Sequence, residues 1–205
     1  MTPTIAFMLK APRAGFVKTR LAAETGDVVA VDIYQLLVER QLAALPAAWP
    51  VTIHYAPADA RGQMAAWLGP QRAGLGFIPQ CAGDLGARIA AAMADEFAHG
   101  AAAVIAIGGD CPGLDGTMLE AARGALETAD VVLGPAADGG YYLIGLTAPC
   151  AALFAGIAWS TPAVLGQTRA RIRELGLRAT ELPTLEDVDD AGAWERAIKG
   201  GVRSA

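Results

Sequence analysis

The stretch from Ala101 to Asp115, AAAVIAIGGDCPGLD, constrains the fold more than any other part of the chain. Its first seven residues, Ala101–Ile107, are all apolar, a length too short for a membrane span and typical of a strand buried on both faces. In open parallel sheets the ligand crevice lies beyond the carboxyl ends of the strands, so this pattern places Asp110 at the edge of a binding site. Gly108 and Gly109 fit that position, because glycine lets the backbone turn sharply and lets a ligand approach closely. A simpler interpretation, in which Asp110 only caps a turn, stays open here.

Length and composition predict one α/β domain covering residues 1–205. The chain is 54% hydrophobic and 18% charged, enough apolar material for one good core. A net charge of -5 and a pI near 5.0 argue against a nucleic-acid surface, although small anions can still bind locally. We therefore expect a small-molecule ligand and no nucleic-acid partner, while the oligomeric state is not encoded in any motif.

Two apolar regions are candidates for targeting or membrane segments. Near the N-terminus the apolar stretch is only Ile5–Leu9 and precedes its charges, the reverse of a signal peptide, so we expect a cytoplasmic protein. The uncharged region Gly139–Thr168 is interrupted by Pro149, Pro162 and several glycines, so buried sheet and loops explain it better than a membrane helix. No membrane span is predicted.

The three cysteines, Cys81, Cys111 and Cys150, are odd in number and form no CxxC pair. This pattern indicates neither a disulfide framework nor a zinc site. Cys111 follows Asp110 and could act as a nucleophile, but a small buried thiol is the favoured interpretation.

A basic loop follows the first predicted strand, Thr4–Leu9. No acidic residue occurs before Glu24, whereas Lys10, Arg13, Lys18 and Arg20 all fall in one short segment. A glycine-containing loop that leads into a helix near Lys18 can cradle a phosphate. It is not a Walker A loop, because a valine stands where the glycine before the lysine is required. The alternative is a solvated basic patch.

The middle of the chain repeats the order strand, loop, helix. Strands are predicted over Val51–Tyr55 and Gly76–Pro79, with a helix capped by Asp27 before them and a return helix over Asp59–Leu68 between them. The next loop, QCAGDLGAR, faces the same sheet edge and offers three further ligand contacts: Gln80, Asp84 and Arg88. N-capping alone explains Asp84 equally well.

Beyond the central strand, a helix is predicted over Thr117–Leu126 and a strand over Asp130–Gly134. The following Asp138-Gly139-Gly140-Tyr141 segment has two interpretations, a β-hairpin turn or a sheet-edge loop that admits a polar substrate. Trp159-Ser160-Thr161-Pro162 predicts a helix start with Thr161 as the cap, and Gly176 ends that helix.

Near the C-terminus, Glu181–Asp190 contains five acidic residues and no cation. Asp187 and Asp189 are two apart and point to the same side if extended, so either could join Asp110 as an oxygen ligand of Mg²⁺. Alternatively, the acids collect at the N-terminus of a helix over Ala191–Lys199.

Taken in order, six segments resemble a bacterial family known as the selenodomain-associated or arsenosugar-biosynthesis transferases, within the nucleotide-diphospho-sugar transferase superfamily. They are KAPRAGFVKTRL, QCAGDLGAR, GGDCPGL, GPAADGGYYLIGL, the Trp159-Ser160-Thr161 step and LEDVDD. Each is weak alone, but together they span nearly the whole chain. Lys18-Thr19-Arg20-Leu21 is also similar to the phosphate loop of 2-phospholactate guanylyltransferase.

The resemblance implies a GT-A fold, an α/β/α sandwich with a mostly parallel central sheet that binds a nucleotide across the strand ends. It also implies that Asp110 is the metal-bearing acid and that Asp187 and Asp189 form the second acidic point. One departure is that the central strand ends in GGD, where many glycosyltransferases have a DxD triplet.

The resulting hypothesis is a transferase that uses Mg²⁺ (or Mn²⁺) and a nucleotide. Lys18 and Arg20 bind the phosphates, and Asp138 is the general base if the acceptor is a hydroxyl. The expected nucleotide contacts are Lys10, Pro12, Gly15, Lys18, Arg20, Gln80, Asp84, Arg88, Gly108 and Gly109. The expected acceptor contacts are Asp138, Gly139, Gly140, Tyr141, Trp159 and Ser160.

Nucleotidyl transfer from a nucleoside triphosphate to a small phosphorylated or sugar acceptor is slightly favoured, because a cation-rich loop after the first strand suits a departing pyrophosphate. Glycosyl transfer from a nucleotide sugar is the alternative. A non-catalytic nucleotide-binding protein of the same fold is the competing class. The sequence identifies neither base, sugar nor acceptor.

Overall fold

The computed structural model describes residues 1–201. Its strands are β1 (Thr4–Lys10), β2 (Val51–Ala56), β3 (Gly76–Pro79), β4 (Val104–Ile107), β5 (Val131–Pro135), β6 (Tyr141–Leu146) and β7 (Ala179–Glu181). Its α-helices are α1 (Thr19–Thr25), α2 (Asp27–Ala44), α3 (Arg61–Leu68), α4 (Leu85–Ala98), α5 (Gly116–Ala125), α6 (Val164–Glu174) and α7 (Ala191–Lys199). Short 3₁₀ segments cover Ala58–Ala60, Gly69–Gln71 and Ala151–Phe154.

The seven strands form one sheet in the order β3-β2-β1-β4-β6-β5-β7. The pairs on the β3 side are parallel, and β7 is parallel to β5. Only β6 runs antiparallel to both of its neighbours, β4 and β5. The predicted α/β fold with a mostly parallel central sheet is therefore confirmed. The carboxyl ends of β1, β2, β3 and β4 meet at one edge.

Alternate strand residues face two helical layers. On one side, Ile5, Phe7 and Leu9 of β1 join a core cluster with residues of α2, α3 and α5. On the other side, Ala6 of β1 belongs to a second cluster, which includes residues of α4 and α6. A third cluster packs α1 against the outer side of α2 through Leu21. The sheet is thus covered on both faces, as its near-continuous apolar strands require.

The central strand is shorter than predicted. We expected Ala101–Ile107, but only Val104–Ile107 is strand. The neighbouring β1 begins at Thr4, which pairs with Val104 and donates its N–H to the Ala103 carbonyl, so β1 does not extend far enough to hold Ala101 and Ala102 in the sheet. The backbone N–H of Ala101 instead donates to the carbonyl of Glu96 at the end of α4.

Three predicted helix starts were wrong. Asp27 is the first residue of α2 and not its cap, because Gly26, at φ 88°, separates α1 from α2 directly. The return helix begins at Arg61, preceded by a 3₁₀ turn in place of helix from Asp59. Helix α6 begins at Val164, because the Thr161 hydroxyl donates to the Ala158 carbonyl and so completes a turn before the helix.

Other expectations were met. The side chain of Asp84 caps α4 by accepting from the Ala87 N–H at 2.8 Å. Strands β5 and β6 pair as a hairpin, so the hairpin interpretation of Asp138-Gly139 is confirmed. Helix α7 has the predicted bounds. Within residues 1–201 no helix is long and apolar enough to cross a membrane.

Candidate functional site

A cleft of about 640 Å³ opens at the carboxyl edge of the central strands. Most of the predicted site residues line it: Lys10, Lys18, Arg20, Gln80, Arg88, Gly108, Gly109, Asp110, Asp138, Gly140, Tyr141, Trp159, Ser160, Asp187 and Asp189. Four predicted residues, Pro12, Gly15, Asp84 and Gly139, lie outside its lining. Residues as far apart in sequence as Lys18 and Asp189, which are separated by 171 positions, therefore converge on one cavity, as the position of strand ends in an open sheet predicts.

Lys18 is the central cation of the cleft. Its Nζ lies 2.8 Å from Asp110 Oδ1 and 3.3 Å from Asp189 Oδ1, and only 4% of its side chain is exposed. Arg20 is much more open, with 75% of its side chain exposed and its Nη1 3.5 Å from Asp189 Oδ2. The basic loop and the acidic C-terminal segment, at opposite ends of the sequence, thus meet in the site.

The acidic segment is attached to the end of the central strand by its backbone. The Val188 N–H donates to the Asp110 carbonyl at 3.0 Å, which places Asp187 and Asp189 on either side of this bond. Burial raises the pKa of Asp187 to about 7, and the negative charges of Asp110, Asp138 and Asp189 add to this effect. The Lys18 charge opposes it. The cleft therefore carries an excess of closely spaced carboxylates.

Two polar side chains of α2 support this edge of the sheet. The Tyr34 hydroxyl accepts from the Lys10 N–H at 3.0 Å and donates to the Lys10 carbonyl at 2.9 Å, at the end of β1. Gln41 Nε2 donates to the Gly108 carbonyl at 2.7 Å, just beyond β4. Sequence reasoning missed both residues. The available signal was a buried tyrosine and glutamine seven residues apart on the apolar face of α2, which a helix places on one side.

The two glycines before Asp110 differ in how much space the fold leaves for a side chain. A Cβ on Gly109 would lie 2.7 Å from Val38 Cγ2 and 2.8 Å from Leu9 Cδ2, so the packing of the core beneath the turn excludes a side chain there. A Cβ on Gly108 would meet nothing within 4 Å. The expectation that Gly109 is glycine to admit a ligand is therefore replaced by a packing requirement.

Two of the predicted ligand contacts after β3, Gln80 and Arg88, already donate hydrogen bonds to backbone carbonyls of the protein. Gln80 Nε2 donates to the carbonyls of Leu9 and His54, at 3.1 and 2.7 Å, and so ties the ends of β1 and β2 together. Arg88 Nε donates to the Gly83 carbonyl at 3.0 Å, while the side chain still lines the cleft. Of this group, Arg88 keeps the most capacity for a ligand.

The first part of the basic loop turns away from the cleft. Arg13 Nη1 lies 3.3 Å from Asp59 Oδ1, and Arg13 Nε donates to Gln63 at 2.9 Å. The Pro12 carbonyl accepts from the same glutamine at 3.4 Å. Gly15 adopts φ 72°, which supplies the turn between Lys10 and Lys18. Pro12 and Gly15 therefore shape the loop from outside the cavity.

The opposite wall of the cleft is formed by the β5–β6 hairpin and the loop before α6. Asp138 Oδ1 accepts from the Gly140 N–H at 2.8 Å, which orients the carboxylate toward the cleft. A Cβ on Gly139, whose φ is 92°, would lie 2.7 Å from Pro162 Cα, so the two loops pack closely there. Ser160, at φ 62°, is one of two non-glycine residues with positive φ in the described part of the chain.

Trp159 and Tyr141 form an aromatic pair in this wall. Their rings meet edge to face, with centroids 6.3 Å apart and an interplanar angle of 82°. The Trp159 ring also covers Gly86 at the start of α4, where a Cβ would lie 2.6 Å from Cε2 of the ring. Tyr141 is largely buried, and burial raises the pKa of its hydroxyl. These two side chains shape the wall through packing.

Cys111 is not a nucleophile in this arrangement. It is buried, and burial together with the Asp187 charge raises the pKa of its thiol to about 12. A thiol that stays protonated at neutral pH is a poor nucleophile. The interpretation of Cys111 as a small buried thiol is the better one, and all three cysteines are free.

Comparison with known proteins places this chain in a family. No curated protein matches it. A family described as an uncharacterised protein conserved in bacteria (DUF2064) matches residues 40–161. The crystal structure of a candidate nucleotide-diphospho-sugar transferase from Desulfovibrio desulfuricans G20 is 33% identical over 100% of this chain and 90% of that chain, with a TM-score of 0.90.

More distant structures share the fold alone. A CMP:2-keto-3-deoxy-manno-octonic acid synthetase complexed with CTP is 15% identical, with a TM-score of 0.56 and coverage of 96% of this chain and 98% of that chain. Rv0371C from Mycobacterium tuberculosis H37Rv, in complex with manganese, is 17% identical, with a TM-score of 0.54 and coverage of 97% and 99%. Because the family match extends over more than half of its sequence, the chain belongs to the DUF2064 family.

Proposed function

We propose that the protein is a metal-dependent nucleotidyltransferase, which moves a nucleotide from a nucleoside triphosphate to a small phosphorylated or sugar acceptor. The observation that carries the proposal is the convergence of Lys18 and Arg20 with Asp110 and Asp189 at the strand ends. The fold relatives support a nucleotide-related transfer, since one is a synthetase bound to CTP and another is a candidate nucleotide-diphospho-sugar transferase. Membership of the selenodomain-associated subfamily remains a prediction.

The donor set of the cleft fits Mg²⁺ or Mn²⁺. Hard cations prefer carboxylate oxygens, and Asp110, Asp187 and Asp189 all line the cavity. Within residues 1–201 no three His, Cys, Asp or Glu side chains are grouped closely enough to hold a metal alone. Mg²⁺ is usually bound by one or two carboxylates together with substrate phosphates, so we propose that the metal binds here with the nucleotide. A fold relative was crystallised with manganese.

In this mechanism Lys18 and Arg20 bind the phosphate oxygens on which negative charge develops as pyrophosphate leaves. Lys18 supplies a nearly buried point charge, whereas the exposed Arg20 can bind two oxygens at once through its planar guanidinium. Asp110, with Asp187 or Asp189, would hold the metal, which supplies charge stabilisation at the phosphates. The remaining nucleotide contacts that we propose in the cleft are Lys10, Gln80, Arg88 and the Gly108-Gly109 backbone.

An acceptor that is already a phosphate would need no general base. A hydroxyl acceptor would need one, and we propose Asp138 for that role, since its side chain lines the cleft and is oriented by the Gly140 N–H. This arrangement also suits glycosyl transfer from a nucleotide sugar, the second candidate function. Gly139, Gly140, Tyr141, Trp159 and Ser160 form the acceptor side in either case.

A ligand panel separates these functions. We would measure thermal shifts with each ribonucleoside triphosphate, dTTP and common nucleotide sugars, with Mg²⁺ and with EDTA. Saturation at 100 times Kd stabilises by about 2.7 kcal/mol, which for a domain of this size is roughly 5 to 10 °C. A metal-dependent shift with one triphosphate supports nucleotidyl transfer, whereas a shift with a nucleotide sugar and its diphosphate alone supports glycosyl transfer.

A matched pair of variants tests for catalysis. Asp110→Asn should abolish metal-dependent turnover with the triphosphate found in the panel, while the protein still folds. Asp32→Asn makes the same change on the exposed surface of α2 and should have no effect. If turnover survives in Asp110→Asn, the proposed role of Asp110 in holding the metal is wrong. Nucleotide binding without turnover in the native protein would favour the non-catalytic class.

A further inference from the structure

The Lys18 ammonium lies where the proposed metal-binding carboxylates would hold a cation. Its Nζ is 2.8 Å from Asp110 Oδ1 and 3.3 Å from Asp189 Oδ1, so it bridges acids from two separate segments. Both carboxylates are partly exposed, at 44% and 41%, whereas the lysine side chain between them is 4% exposed. The cation is therefore enclosed while its partners remain accessible to a ligand.

The backbone holds the lysine in this place. Lys18 precedes α1 in the left-handed backbone conformation, at φ 47° and ψ 45°, which residues other than glycine rarely adopt. Its neighbours Val17 and Leu21 are buried, and the Ala22 N–H donates to the Lys18 carbonyl at 2.8 Å. A strained conformation that surrounding packing enforces is typical of functional sites. The position of the side chain is thus built into the fold.

We infer that Lys18 is a resident cation of the ligand-free site, and that the site accepts a divalent metal only together with phosphate groups. This inference rests on the proposed function. A free metal ion would have to enter beside an ammonium that already pairs with Asp110 and Asp189, and like charges oppose this. Phosphate oxygens give the ammonium new partners, so a metal–nucleotide complex releases the carboxylates as it binds. The site therefore prefers a preformed metal–nucleotide complex to the metal and the nucleotide binding one after the other.

Arg20 provides the matched control. It carries the same charge and contacts the other oxygen of Asp189, but 75% of its side chain is exposed and its distance is 3.5 Å. Water screens such a pair strongly. Removing Arg20 should therefore change the affinity for free metal little, whereas removing Lys18 should change it substantially.

The test measures binding of Mn²⁺ alone by electron paramagnetic resonance. We expect the native protein to bind Mn²⁺ weakly, Lys18→Met to bind it at least tenfold more tightly, and Arg20→Met to stay within about twofold of native. Methionine keeps an unbranched apolar stem of similar length. Equal Mn²⁺ affinity in native and Lys18→Met protein would overturn the inference.

A second measurement uses the native protein and so does not depend on the folding of a variant. Saturating pyrophosphate should raise the affinity of the protein for Mn²⁺ at least tenfold. The control is chloride that supplies the same concentration of negative charge. If native protein binds Mn²⁺ equally well without pyrophosphate, Lys18 is not a resident cation and the inference is wrong. The proposed metal site would still stand if Asp110→Asn abolished that binding. If no form of the protein binds Mn²⁺ with or without pyrophosphate, the proposed metal-dependent function fails as well.

Discussion

Replacing Asp187 by asparagine should stabilise the metal-free protein at neutral and alkaline pH. The Asp187 carboxylate is mostly buried and faces the charges of Asp110, Asp138 and Asp189, and its pKa is raised to about 7. Asparagine has nearly the same shape and carries no charge. A carboxylate that destabilises the metal-free protein, at a position where we propose a metal ligand, is one form of the conflict between stability and function.

The magnitude follows from the two pKa values. The ordinary value is 3.8 and the folded value is about 7, a difference of about three pH units, and each unit corresponds to about 1.4 kcal/mol. The ceiling is therefore about 4 kcal/mol. Because part of the side chain is accessible and solvent screens the repulsion, we expect about 1 to 2 kcal/mol.

The pH dependence has a definite sign. The folded state binds the Asp187 proton more tightly than the unfolded state, so its contribution to stability is complete below about pH 4 and is lost as the pH rises to about 7. Asp187→Asn removes this loss. The stability difference between variant and native protein should be smallest near pH 4, grow between pH 4 and pH 7, and level off above it.

Urea unfolding in EDTA at pH 4.0, 5.5, 7.0 and 8.5 would measure this difference, with the exposed Asp32→Asn as the control. Thermal unfolding should shift by roughly 2 to 4 °C for each kcal/mol in a protein of this size. A variant that is equally stable or less stable than native at pH 8.5, or a difference that does not vary with pH, would refute the reasoning.

Three further predictions follow from individual contacts. Gly139→Ala should destabilise the protein by about 2 to 3 kcal/mol in urea unfolding, because it adds a clash with the facing loop to a positive φ. Gly74→Ala is the control, since its φ is also positive but the space around it is open, and it should cost only about 1 to 2 kcal/mol. Equal losses would contradict the packing argument. Tyr34→Phe should destabilise by about 1 to 3 kcal/mol, because it leaves two backbone groups at the end of β1 without a partner; unchanged unfolding would exclude this role. Iodoacetamide at pH 8 should modify the exposed Cys81 and leave the buried Cys111 intact in the folded protein, as peptide mass mapping would show; rapid labelling of both would mean that the cleft opens.

The fold and the position of the site could be read from local patterns. An apolar run that ends in GGD predicts a buried strand with an acid at its carboxyl end, and Asp110 does line the cleft. Alternating strands, loops and helices predict the parallel part of the sheet. The bounds were less accurate, because a strand extends only as far as its neighbour does, and the start of β1 truncates β4.

Other features depended on distances that no local pattern contains. From the sequence we predicted that Lys18 binds a phosphate and that Asp189 is a candidate metal ligand. The ion pair between these two side chains was not predicted. The helical spacing of Tyr34 and Gln41 indicates a shared face of α2, but their partners are backbone groups of distant strands that no local pattern identifies.

The amino-acid sequence alone determined the class of fold, the edge of the sheet at which the cleft opens and the types of charge gathered there, because these follow from short-range periodicity and from the direction in which strands end. Tertiary structure decided which charges are paired, which are buried and which remain available, because these depend on packing between segments far apart in the chain. The pKa of Asp187 is an example: burial of the site and the charges of Asp110, Asp138 and Asp189 raise it, and of these only Asp189 is close to Asp187 in sequence.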